Sequence, residues 1–288
     1  MHASHQQGAQ GPPVLKFIFG NPDKKEWTLS LYNAVNGTSY TDASAIELTT
    51  IEDVLYMGMR NDVSFLVGDV MSMYEQQSTL DLNMPMRLLI YAGMLYSKHI
   101  EMDSSYKRYS SKPQRVPLPK CVCFYNGTRE ADDRSILRLS DAFGIEGEAD
   151  IEVCVTMLNV NYGRNQGLMD ACVPLGEYAW LIWRIRANQM EYGNIERAIE
   201  RALAEMPDGM VIKPFLMGNR AEVKMMCITE YDAERAYAEQ REDGRDEVLH
   251  QLSLLKQALK DAGRYDELSD AIDDRDTFEH LLVEFGIE

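Results

Sequence analysis

The chain has 288 residues, 45% of them hydrophobic, enough to build a sizeable core in one large domain or one domain with an appendage. No apolar run approaches the ~18 residues that span a bilayer, and no positive-then-apolar signal pattern opens the chain, so the expectation is a cytoplasmic protein with no membrane partner. A formal net charge of −17 counts against a nucleic-acid binder, but the charge is uneven: residues 1–188 carry 17 Lys+Arg against 22 Asp+Glu, and residues 189–288 carry 12 against 24.

Met1 to Pro13 is polar and rich in His, Gln and Gly, and is expected to be a disordered leader or an expression remnant. Val14 to Gly20 is a short apolar run ended by the turn Gly20-Asn21-Pro22. Asp23 suits the cap of a helix to about Val35, with Trp27, Leu31 and Val35 on one stripe and Asn36-Gly37 as its stop. Val54 to Met59, Val63 to Val67 and Val70 to Tyr74 read as three strands, the last two joined around Gly68-Asp69. Pro85 suits the start of a helix that carries Leu88, Ala92 and Leu95 on one face to about His99. Cys121 to Tyr125, ended by Asn126-Gly127, and Ile151 to Val160 read as further strands.

After Leu175 the pattern turns helical. Helices are expected over Gly176–Met190, Ile195–Met206, Ala221–Arg241, Glu247–Ala262, Tyr265–Ile272 and Thr277–Phe285. The predicted fold is therefore α/β, with a mixed core at 14–175 behind a leader at 1–13 and a helical extension at 176–288. The stripe Leu252, Leu255, Leu259 and the group Phe278, Leu281, Leu282, Phe285 suit packing on the core or on a second copy, so a homodimer or other homo-oligomer is expected.

The five cysteines are odd in number and irregular in spacing, which points to reduced, buried thiols and to no zinc site. Ser104 to Lys120 holds five cations (Lys107, Arg108, Lys112, Arg115, Lys120) and no acid, a pattern that suits either a solvated loop or phosphate contacts. The chemistry concentrates in Asn61 to Ser78. With Gly68-Asp69 as a two-residue hairpin loop, numbers that face each other sum to 137, so Asp62 stands opposite Glu75. Facing residues have Cβ atoms about 4.5–5.5 Å apart, where two carboxylates repel unless a cation lies between them. Gln77, two residues on, shares the face. A bare hairpin with one solvated face fits the same spacing.

The wording around these residues carries a resemblance. Phe17-Ile18-Phe19-Gly20-Asn21-Pro22, Leu29 to Thr38, Asn61-Asp62-Val63-Ser64-Phe65, Tyr74-Glu75-Gln76-Gln77-Ser78-Thr79 and Phe124-Tyr125-Asn126-Gly127 together resemble the recombination-promoting nuclease / putative transposase family, a PD-(D/E)XK branch in bacteria. The resemblance covers Leu15 to Tyr231 and implies a restriction-endonuclease-like α-β-β-β-α-β core. It implies a metal-dependent DNA endonuclease linked to recombination or mobile elements, with Mg²⁺ or Mn²⁺ as cofactor and DNA as partner. By it, Asp62 is the metal aspartate, Glu75 and Gln77 form the Glu-x-Gln motif, Ser78 and Thr79 reach phosphate, and Glu26 is either a further acid from the first helix or an ordinary first-turn Glu favoured by the helix dipole. Gln76 stands where the family usually has His and is expected to face the other way. Gly11-Pro12-Pro13-Val14 replaces the family's charged pair and aromatic. The competing expectation is a degenerate nuclease fold that acts as an interaction or regulatory module.

Overall fold

The computed structural model describes residues 13–49, 63–102, 110–145 and 147–287. Val14–Phe19 is a helix, α1, which buries Val14, Leu15, Ile18 and Phe19 and stops at Gly20. Asn21, not Asp23, makes the next cap: its Oδ1 accepts from the Asp23 amide at 2.8 Å and opens a 3₁₀ turn at Pro22–Lys24. Helix α2 (Lys25–Asn36) follows, burying Trp27, Leu29, Leu31 and Tyr32, and ends on Gly37, whose φ of +65° a side chain would resist.

β2 (Val63–Val67) and β3 (Val70–Gln77) pair antiparallel across Gly68-Asp69, with Val63 opposite Tyr74 and Phe65 opposite Ser72, so paired numbers sum to 137 as the turn predicts. Gly68 takes φ +56°, which suits the first position of a tight hairpin loop. A strand not anticipated from sequence, β1 (Ile46–Leu48), pairs with β2. The strand expected over 54–59 lies outside the described residues.

Helix α3 (Met84–Met102) then crosses over to β4 (Leu118–Tyr125), which runs parallel to β3. Parallel neighbours require such a crossover. β6 (Cys154–Asn159) adds parallel to β4, and β5 (Arg134–Arg138), which sequence did not reveal, pairs antiparallel at the edge. The result is a six-stranded mixed sheet of order β1-β2-β3-β4-β6-β5.

Alternation along the strands divides two cores. Phe65, Tyr74, Val122 and Phe124 pack with α1, α2 and the helices α4 (Gln166–Ala171), α5 (Val173–Tyr192), α6 (Ile195–Glu205) and α7 (Lys213–Gly218). Met71, Met73, Cys123 and Tyr125 face Met84, Leu88, Tyr91 and Leu95 of α3. All five cysteines are free, and burial pushes the Cys121 and Cys172 thiols up to about 11. Cys154 departs from the expected burial and is exposed. No helix among the described residues is long and apolar enough to cross a membrane.

Two compact units divide the chain between Tyr231 and Asp232. The expected helices over 221–241 and 247–262 are one helix, α8 (Arg220–Asp261), which continues through the charged run between them despite its Asp and Gly residues. In the second unit Leu255 and Leu259 are fully buried against Leu268 and Ala271 of α9 (Glu267–Asp273) and Leu281 and Leu282 of α10 (Arg275–Phe285). The leucine stripe thus finds its cover within its own unit, which removes the reason to expect self-association through it. Leu259→Ala should destabilise the C-terminal unit by about 2–5 kcal/mol. Denaturant unfolding followed by amide exchange in 232–288 would show this; an unchanged unfolding free energy would contradict the packing described.

Candidate functional site

The odd-numbered residues of β3 point at α3, and their chemistry changes along the strand. Met71 and Met73 are buried apolar side chains; Glu75 and Gln77 follow on the same face at the carboxyl end. The carboxyl ends of strands in open α/β sheets are where ligands bind. Glu75 is only 1% exposed, and a carboxylate so deep needs a partner.

The partner comes from the first turn of α3. Arg87 Nη2 stands 3.6 Å from Glu75 Oε2, and Arg87 Nη1 stands 3.4 Å from Asp81 Oδ2. Burial works to lower the Arg87 pKa, but a hydrogen bond with Tyr91 and the charges of Glu75 and Asp81 outweigh it and hold the guanidinium above its ordinary value. With its amide turned so that both ends are satisfied, Gln77 Oε1 accepts from Arg87 Nη1 at 2.9 Å and Nε2 donates to the Thr79 carbonyl at 3.1 Å. Arg87 Nε is buried and has no hydrogen-bond partner among the described residues.

The strand ends are stitched together behind this cluster. The Asn126 amide donates to the Gln77 carbonyl at 2.9 Å, and Asn126 Nδ2 donates to the buried Tyr178 hydroxyl at 2.8 Å. Gly127 lies so close that an added Cβ would meet the Ser78 carbonyl oxygen at 2.1 Å. Asn161 Nδ2 donates to the Gly127 carbonyl at 3.0 Å, and Arg186 Nη1 donates to Asn161 Oδ1 at 3.1 Å. Gln76 faces the opposite side, as alternation requires, where its Nε2 donates to Glu230 Oε2 at 3.3 Å and its Oε1 accepts from the Leu15 amide at 3.4 Å. Glu230 Oε1 also accepts from the Val14 amide at 2.6 Å, so Gln76 belongs to the knot that anchors the start of α1.

Of the residues predicted for the site, the structure brings Glu75 and Gln77 together, with Ser78 and Thr79 half-buried just beyond them. Asp62, Lys107 and Arg108 lie outside the described residues. Glu26 is exposed on α2, whose buried side chains pack on the face of the sheet opposite Glu75. Lys112 and Arg115 are exposed just before β4. Leu118 pairs with Val70 and Tyr125 with Gln77, so these cations lead into the end of β4 that lies beside the start of β3, not beside Glu75 and Gln77. Arg87 and Asp81 were missed in the sequence; the one clue was Pro85, which marked the helix start beside which both lie.

Glu75, Gln77 and Asp81 offer carboxylate and amide oxygens, the hard donors that Mg²⁺ and Mn²⁺ accept. Among the described residues no group of three His, Cys, Asp or Glu side chains is placed to hold an ion. The donor chemistry fits, but a full set needs a further acid. No family model matches the chain, and neither the curated proteins nor the solved structures yield a match.

Removing one member of the Glu75–Arg87 pair leaves a buried charge. Arg87→Met should cost about 3 kcal/mol of stability, whereas Glu75→Gln combined with Arg87→Met should cost clearly less. A double-mutant cycle by chemical denaturation checks this, and additive losses would show that the two charges do not interact.

Proposed function

We propose that this chain is a divalent-metal-dependent DNA endonuclease of PD-(D/E)XK type, cutting phosphodiester bonds at the carboxyl end of β3. The observation that carries this reading is Glu75 and Gln77 on one face of that strand end, within a helix, three antiparallel strands, crossover helix and parallel strand.

In this reading Glu75, with Asp62 from the predicted place across the hairpin, holds Mg²⁺ or Mn²⁺. The ion, when bound, lowers the pKa of its water and offsets negative charge that builds on the phosphorane. Arg87 pairs with the Glu75 carboxylate and holds it in place. Gln77, held at both ends of its amide, orients the attacking water or contacts the phosphate without supplying charge.

A second reading has its own observation. Glu75 is buried and already ion-paired, and the chain carries −17, which suits a nuclease fold retained as a protein-interaction or regulatory module. Supercoiled plasmid incubated at low salt with Mg²⁺ or Mn²⁺ separates the two. The nuclease reading expects nicking or linearisation by wild type and background levels for Glu75→Ala and Asp62→Ala. It also expects Mg²⁺ to raise the melting temperature of wild type but not of those variants, since an ion bound at 100 times its Kd adds about 2.7 kcal/mol. No cutting and no metal-dependent shift would favour the interaction module.

A further inference from the structure

We propose that Arg87 is the phosphate-binding cation of this site, supplying from the first turn of α3 the positive charge that the neutral Gln77 amide cannot supply from β3. This rests on the nuclease reading and adds a substrate contact to it.

Three observations lead there. First, with its amide turned so that both ends are satisfied, Gln77 accepts from Arg87 Nη1 at 2.9 Å and so helps to aim that cation. A guanidinium is the natural phosphate partner, because its planar fork meets two oxygens at once. Second, the pairing with Glu75 is loose: Nη2 lies 3.6 Å from the carboxylate, an ion-pair distance beyond hydrogen-bond range, while Tyr91 also bonds the guanidinium. Third, the Arg87 side chain is 28% exposed, so ligand can approach, and it stands in the first turn of a 19-residue helix whose N-terminal dipole also favours an anion. Asp81, which shares Nη1, holds the fork from the other side at 3.4 Å.

The test removes the cation together with the charge of the buried carboxylate that faces it. Glu75→Gln is compared with Glu75→Gln/Arg87→Met, both loops of the comparison being checked for equal folding by circular dichroism. Binding of a short DNA duplex to the full-length proteins is measured over a salt series. Loss of one phosphate contact should flatten the plot of log K against log salt by about 0.9. In the cleavage arm, Arg87→Met should lose cutting, Arg87→Lys should keep part of it, and Gln77→Lys/Arg87→Met should regain at least about tenfold over Arg87→Met by returning a charge to the strand.

A lowered slope supports the proposal. An unchanged slope overturns it, whatever the cleavage result. Wild type that binds duplex but cuts with neither metal would sink the nuclease reading, while the slope would still decide the role of Arg87. A Glu75→Gln protein that binds no duplex at low salt would overturn both.

Discussion

The parallel pairing of β3 with β4 is the constraint on which the site depends. Two parallel neighbours cannot be joined by a tight turn, so the chain must leave the carboxyl end of β3, cross the sheet and re-enter at the start of β4. α3 makes that crossing over the odd-numbered face of β3. Its first turn must then lie beside the last residues of the strand it has just left. Arg87 meets Glu75 and Gln77 for that reason alone. The same topology brings Asn126 and Gly127, just beyond β4, against Gln77 and Ser78, where the absent Gly127 side chain lets two backbones approach.

The energetics of the cluster argue for a purpose other than stability. Taking a carboxylate and a guanidinium out of water costs several kcal/mol each, and a well-packed apolar pair of the same volume commonly serves as well. Toward the start of the strand the face is apolar, with Met71 and Met73 packed among Leu88, Tyr91 and Leu95. The switch to Glu75, Gln77, Asp81 and Arg87 occurs only at the strand end, where Arg87 is partly open to solvent. A polar cluster confined to the mouth of a sheet and tied by mutual contacts holds its members in fixed geometry, which is what binding a charged ligand requires.

What sequence revealed follows from how locally each feature is determined. The β2–β3 register came from a two-residue loop and alternation alone, because a slip of one would turn Phe65 and Tyr74 out of the core. The end of α2 came from Gly37, and the face of α3 from the spacing of Leu88 and Leu95. β5 escaped notice because it is a short edge strand with both ends exposed, Arg134 and Arg138, and its pairing partner is sixteen or more residues away. α1 was too short for periodicity to speak. Glu75 and Gln77 were legible as a pair on one face, whereas Arg87 was not, since no spacing rule connects a strand end to the first turn of a following helix.

The net charge of −17 is less of an obstacle to a DNA site than its size suggests. At physiological salt a charge is screened over about 8 Å, so a phosphate group feels the groups it touches and little beyond them. The acids are concentrated after residue 189, with 24 of 46 in the last hundred residues. At the strand ends the local inventory is different: Arg87 stands at the β3 end, and Arg186 is held by Asn161, which in turn grips the loop after β4. Lys112 and Arg115, the cations that sequence favoured, lead into the end of β4 that lies beside the start of β3, not beside Gln77. On the proposed reading, a DNA backbone at this strand end would be gripped at short range by Arg87, a contact set by the geometry of the strand ends more than by the field of the whole protein.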